Sequence, residues 1–234
     1  MKRCLLCQQE TNLQLNWRQF LGMEEAAELC DKCQATFQFI EGERCQICSR
    51  PLAELEDAYK KDGSCQDCLR WEQNPQFHGV LEQNISLFIY NEPMKEWVAR
   101  FKYRGDYVLA RSFAKDIRRA VQTFDYDEAT VIPLSDERLQ ERGFNQAKAL
   151  ATEAGIDVTE MLGRVHTEKQ SKKSRIERIN TKQVFRLIEK NDCYNKKILI
   201  FDDIYTTGAT LRQAAKLLKE AGAKEIYGFT LIRG

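Results

Sequence analysis

The chain has 234 residues, with 36 Lys and Arg against 35 Asp and Glu for a formal net charge of +1, and 43% of its residues are hydrophobic. That length holds one medium α/β domain plus a small appendage, and the balance suits a soluble globular chain rather than a disordered one. So small a charge names no partner, no apolar run approaches the roughly 20 residues that span a bilayer, and the opening Met1-Lys2-Arg3-Cys4-Leu5-Leu6-Cys7 turns polar by Gln8 without a signal-peptide core. A cytoplasmic location is the expectation.

Eight of the nine cysteines precede residue 69, as the pairs Cys4/Cys7, Cys30/Cys33, Cys45/Cys48 and Cys65/Cys68. In a reducing compartment such density points to metal rather than disulfides. Two residues between cysteines let both thiolates of a knuckle reach one ion, and two knuckles complete the tetrahedral Cys₄ set that zinc favours. Spacings of 22 and 16 residues within successive couples fit two ribbons, Cys4–Cys33 and Cys45–Cys68. Cross-bracing of the first pair with the third and the second with the fourth is the alternative. Either way the sites are closed, so structural Zn²⁺ that drives folding is expected. Ribbons present a surface, which suggests docking of a partner or nucleic acid. The division expected is a cysteine-rich double zinc ribbon over 1–70 and an α/β domain over 80–234.

After the ribbon, apolar runs alternate with amphipathic patterns, which predicts a mostly parallel sheet flanked by helices. Ile85 to Tyr90 reads as a strand. Glu92-Pro93 opens a helix with Met94, Trp97, Val98 and Phe101 on one face. Gly105 is a plausible stop, Val108 to Val121 reads as a second helix, and Ala129 to Leu134 as a strand. Ala147, Leu150, Ala151 and Ala154 repeat the helical spacing before Gly155. From Arg164 to Lys190 nine basic residues face three acidic ones, which reads as a solvated arm or an anion-binding flap. Lys197 to Phe201 is a short buried strand, and Leu211, Ala214, Ala215 and Leu218 share a helical face. Gly222 closes that helix, and Ile226 to Ile232 is the last strand. Cys193 stands alone as a packing residue.

The most informative stretch is Ile198-Leu199-Ile200-Phe201-Asp202-Asp203-Ile204-Tyr205-Thr206-Thr207-Gly208-Ala209-Thr210-Leu211. An apolar strand leads into two acids, a Thr/Gly turn and a helix. Hydroxyls and backbone N–H groups at a helix N-terminus cradle phosphate, Gly208 permits close approach, and adjacent carboxylates accept from vicinal sugar hydroxyls. The stretch resembles the phosphoribosyl-pyrophosphate (PRPP) motif of type I phosphoribosyltransferases. That resemblance implies that Asp202 and Asp203 contact the ribose hydroxyls, that Thr206, Thr207, Gly208, Ala209 and Thr210 hold the 5′-phosphate, and that Mg²⁺ accompanies PRPP.

Lys102-Tyr103-Arg104-Gly105-Asp106, Arg142-Gly143-Phe144-Asn145-Gln146, and Gln170 with Glu177-Arg178-Ile179-Asn180 and Phe185 resemble the ComF competence proteins. With the cysteine-rich start, the resemblance covers nearly the whole chain. It implies a role in uptake of transforming single-stranded DNA beside a ComFA-type helicase/translocase. Lys102, Arg104, Arg142, Asn145 and Arg178 become candidate contacts to pyrophosphate or nucleic acid. Read from the residues alone, Lys102 and Arg104 also complement a helix C-terminus, while Arg142 and Asn145 begin a helix, Arg142 being equally able to form a salt bridge. A working PRPP-dependent transferase with an unnamed acceptor is the alternative function.

Overall fold

The computed structural model describes residues 3–10, 27–165, 184–188 and 193–234. Most of the basic stretch, with Arg178 in it, lies outside the described residues.

The ribbon contributes helix α1 (Asp31–Gln34), strands β1 (Lys60–Lys61) and β2 (Ser64–Cys65) paired antiparallel, and helix α2 (Gln66–Gln73). Then follow β3 (Gln83–Ile89), α3 (Glu92–Tyr103), a 3-10 segment (Tyr107–Phe113), α4 (Ala114–Val121), β4 (Glu128–Val131), α5 (Asp136–Arg142) and α6 (Gln146–Glu153). The chain continues through β5 (Leu162–Arg164), β6 (Phe185–Leu187), β7 (Lys197–Tyr205), α7 (Ala209–Glu220) and β8 (Glu225–Arg233). Strands β3, β8, β7 and β4 form one parallel sheet in that order, and β5 pairs antiparallel with β6.

Helices on both faces make the sheet's central strands continuously apolar rather than alternating. One face packs Trp97, Phe101, Phe113, Leu150, Leu199, Phe201 and Phe229. The other packs Ile198, Ile200, Tyr205, Leu211, Ala215, Leu218 and Ile226, and this second core also contains Cys45, Cys48, Cys65 and Cys68. Met94, Trp97, Val98 and Phe101 are the buried face of α3, as their spacing predicts, and Asn91 caps that helix by accepting from the Met94 N–H at 3.0 Å.

Three local readings change. The stretch read as one helix from Val108 divides into the 3-10 segment and α4. The Phe113 ring, wedged 5.0 Å from Phe37, 4.6 Å from Phe88 and 5.3 Å from Trp97, sits at the break with φ −123° and ψ 13°. Helix α5 buries no residue and therefore offers no apolar period to read. Because α5 runs to Arg142 before Gly143 turns the chain at φ 77°, Arg142 ends a helix rather than beginning one, while Asn145 caps α6.

The ribbon covers the outer edge of β3. Ile40 N–H donates to Leu87 O at 2.8 Å, Asn84 N–H to Ile47 O at 2.7 Å, and Ile89 N–H to Gln38 O at 2.9 Å. The Ser49 hydroxyl donates to Asn84 O and accepts from Ser86 N–H. An edge that would otherwise template aggregation is satisfied by the chain's own N-terminal module. Among the described residues no helix is long and apolar enough to cross a membrane.

Candidate phosphate-loop site and zinc centres

Tertiary structure decides the cysteine pairing. The sulphurs of Cys4, Cys7, Cys30 and Cys33 lie within 4.8 Å of one another, as do those of Cys45, Cys48, Cys65 and Cys68, so the knuckles pair consecutively. Sulphur separations of 3.8 Å for Cys7–Cys30 and 3.6 Å for Cys48–Cys65 match the edge of about 3.8 Å set by a tetrahedron with bonds of about 2.3 Å. Backbone N–H groups of Cys30 and Cys65 donate to the Cys4 and Cys45 sulphurs at 3.3 Å, as thiolate ligands require. Both sets fit structural zinc. The two differ in exposure, since all of Cys45–Cys68 is buried whereas Cys7 is exposed and Cys30 and Cys33 are half-buried.

The candidate phosphate loop leaves the carboxyl end of β7, where open α/β sheets place their ligands. That strand extends to Tyr205 rather than stopping at Phe201, because β8 pairs with it up to the Tyr205–Arg233 register. Asp202 and Asp203 therefore sit within the strand. Thr206, Thr207 and Thr210 are exposed around the start of α7, Ala209 is half-buried and Gly208 is buried with φ 80°. A Cβ at Gly208 would lie 2.2 Å from Tyr205 Oη and 2.6 Å from Arg212 Nη1, so no other residue fits without displacement.

The acids are held unequally. Asp203 N–H donates to Asp202 Oδ1 at 2.9 Å, and Lys102 Nζ forms an ion pair with Asp203 Oδ2 in which both side chains are largely buried. Burial, reinforced by the Asp203 charge, pushes the Asp202 carboxyl up to about 8, with Lys102 opposing. Arg164 lies close enough to feel the Asp202 charge, although burial and Arg138 lower its own pKa.

The remaining candidates have partners of their own. Arg104 is the exposed C-cap of α3. Arg142 donates to Gln146 Oε1 at 3.0 Å and lies 5.9 Å from the Tyr103 ring centroid. Asn145 Oδ1 accepts from Lys148 N–H at 3.2 Å, and its Nδ2 donates to Ile132 O at 2.9 Å. Tyr107 packs edge-on against Phe144 at 5.0 Å, and Tyr103 is 66% exposed beside them. Arg142 and Tyr103 thus meet as a basic and aromatic pair, and Lys102 ties the end of α3 to Asp203.

Three residues around the loop escape a reading of the sequence. Arg212 donates to Tyr205 Oη at 2.5 Å and toward Cys68 Sγ at 3.7 Å. Arg233 donates to Tyr205 O at 3.2 Å and toward Cys48 Sγ at 3.8 Å. Trp71 Nε1 donates to Thr207 O at 2.8 Å. The only sequence signal is a charge beside the apolar stripe of α7, at Arg212, and another at the end of the last strand, at Arg233. A cavity of about 310 Å³ opens between α2 and the loop, lined by Asp67, Arg70, Trp71, Asn74 and Thr207.

The phosphoribosyl transferase domain family matches residues 109–234, and the double zinc ribbon domain family matches residues 2–69. Sheet order, phosphate loop and paired cysteine clusters together define a type I phosphoribosyltransferase-fold protein with an N-terminal double zinc ribbon. Competence protein ComFC of Streptococcus pneumoniae is 36% identical over 232 residues, covering 99% of this chain and 100% of the relative. Competence protein ComFC of Bacillus subtilis is 36% identical over 234 residues, 98% of this chain and 94% of the relative, and competence protein F of Haemophilus influenzae is 30% identical over 186 residues, 72% and 78% respectively. The chain belongs to the ComFC family of competence proteins.

Proposed function

We propose that this protein is a cytoplasmic competence factor that handles transforming single-stranded DNA beside a ComFA-type helicase/translocase and binds PRPP in its phosphate-loop pocket. The observation that carries the reading is the near-full-length identity of 36% to two competence proteins, with the ribbon and the transferase-fold domain both retained. The pocket supports the ligand. Exposed Thr206, Thr207 and Thr210 surround a helix N-terminus that favours phosphate, and Asp202 and Asp203 sit where ribose hydroxyls would donate. Mg²⁺ would arrive bound to the pyrophosphate of PRPP. Lys102 would then exchange its Asp203 partner for the incoming anion.

The DNA side of the reading is supported by the neighbouring surface. Tyr103, Tyr107 and Phe144 offer rings for stacking, and Arg104 and Arg142 offer charge for the phosphate backbone.

Calorimetric titration of Mg²⁺-PRPP into zinc-loaded protein, beside the Asp202→Asn/Asp203→Asn double variant, tests the pocket. Binding lost in the variant is expected, and a folded wild type that takes up no PRPP would overturn that half of the reading. Single-stranded DNA affinity that falls steeply with salt and weakens in Tyr103→Ala and Arg104→Ala tests the other half. Salt-independent affinity, or none, rejects direct DNA binding.

A further inference from the structure

We infer that the buried Cys45–Cys68 zinc centre is the floor of the phosphate loop, with Arg212 and Arg233 as the positioning residues that join the two. Four thiolates around Zn²⁺ carry a net charge of about −2, and burying such a charge without partners is prohibitive. Cys45, Cys48, Cys65 and Cys68 are at most 1% exposed. Arg212 and Arg233, 0% and 4% exposed, point their guanidinium groups at Cys68 and Cys48, so two buried positive charges face the centre, Arg212 sharing its charge with Glu72 Oε1 at 3.9 Å. Partly exposed Arg50 pairs with Asp67, the neighbour of the ligand Cys68, at 2.8 Å.

Each buried arginine has a second hand on the loop. Arg212 holds the Tyr205 hydroxyl and Arg233 holds the Tyr205 carbonyl, so the residue immediately before Thr206 is gripped at both ends. Gly208 rests directly on that Tyr205–Arg212 pair. Trp71, three residues beyond the ligand Cys68, takes the Thr207 carbonyl. The backbone at 205, 207 and 208 is therefore positioned by one ribbon residue, Trp71, and by two arginines that reach the ribbon's sulphurs. At the Cys4–Cys33 cluster, by contrast, Arg100 donates to the carbonyls of Leu5 and Leu6 rather than to sulphur.

Without the Cys45–Cys68 metal, Arg233 loses the charge it faces at Cys48, Arg212 is left with Glu72 Oε1 at 3.9 Å in place of the centre, and the loop loses its support. The consequence for PRPP affinity rests on the proposed pocket, whereas the mechanical coupling does not. Zinc-loaded full-length protein should release metal to a chromogenic chelator in a fast and a slow phase. Arg212→Lys should accelerate the slow phase about tenfold, the lower end of what outer hydrogen-bond partners of metal ligands contribute. Amide hydrogen exchange over residues 204–211 should quicken when the slow-phase metal is removed. It should also quicken in metal-loaded Tyr205→Phe, which deletes only the hydroxyl, and in Trp71→Phe, which removes the indole N–H together with part of the ring. These two variants carry the comparison if Arg212→Lys fails to fold. Loop exchange indifferent both to the metal and to these substitutions would overturn the inference. PRPP calorimetry on the same samples separates the two readings, because a wild type that binds no PRPP but shows coupled exchange rejects only the ligand.

Discussion

Asp202 shows how position alters a carboxyl's chemistry. Burial and the neighbouring Asp203 raise it to about 8, so the folded protein holds a proton there that the unfolded chain, with an ordinary value of about 3.9, releases. Folded protein therefore binds more protons than unfolded protein between those values, and this site's contribution to stability falls as pH rises from about 4 to 8. Urea denaturation at pH 5 and pH 8 should show a smaller loss of stability in Asp202→Asn than in the wild type. An equal loss would place the proton elsewhere. Gly208 carries a second expectation at this scale. Its φ of 80° and the 2.2 Å approach to Tyr205 Oη mean that Gly208→Ala should cost about 1–3 kcal/mol in backbone strain alone, read as a lowered denaturation midpoint. Motif pattern marks Gly208 as special, but the ring beneath it belongs to the packing.

Among the elements, α3 was the most legible, because its buried residues follow one helical stripe and Glu92-Pro93 supplies the start signal. Trp97 packs 4.7 Å from Phe101 and 5.3 Å from Phe113. Trp97→Ala should lower unfolding free energy by about 3–5 kcal/mol, while Asn91→Ala, losing one cap bond, should cost about 1 kcal/mol. Reversal of that order in denaturant titrations would show that the aromatic cluster does not anchor the helix. Other elements were less readable for identifiable reasons. Helix α5 has no buried face, so periodicity is silent. Strand β7 outruns its apolar segment because backbone pairing to β8 continues past the acids. The 3-10 segment before α4 follows from where Phe113 must pack, which its own neighbours in sequence do not specify.

At the scale of the whole molecule, two zinc centres of one chemistry occupy different surroundings. The exposed Cys7 makes the Cys4–Cys33 set the expected source of the fast phase in chelator competition, and the buried Cys45–Cys68 set the source of the slow one. Cys7→Ser should abolish the fast phase and leave the slow phase in place; loss of the slow phase instead would reverse the assignment. Zinc loading should release protons, with affinity falling as pH is lowered, because the metal displaces protons from thiols. Calorimetry in buffers of different ionisation enthalpy reads that release directly.

The sequence alone determined the eight candidate ligands, the phosphate loop, the core face of α3 and the parallel α/β class. Each of these is written in local spacing, whether two residues between thiolates, three or four between apolar side chains, or an acid pair followed by a Thr/Gly turn. Consecutive pairing of the cysteines, docking of the ribbon along β3 and the arginines beneath the loop were decided only by tertiary structure. Cys68 and Arg212 are 144 residues apart and Cys48 and Arg233 are 185 apart. A buried charge takes its partner from whichever element the fold brings against it, and no local pattern in either segment records that meeting.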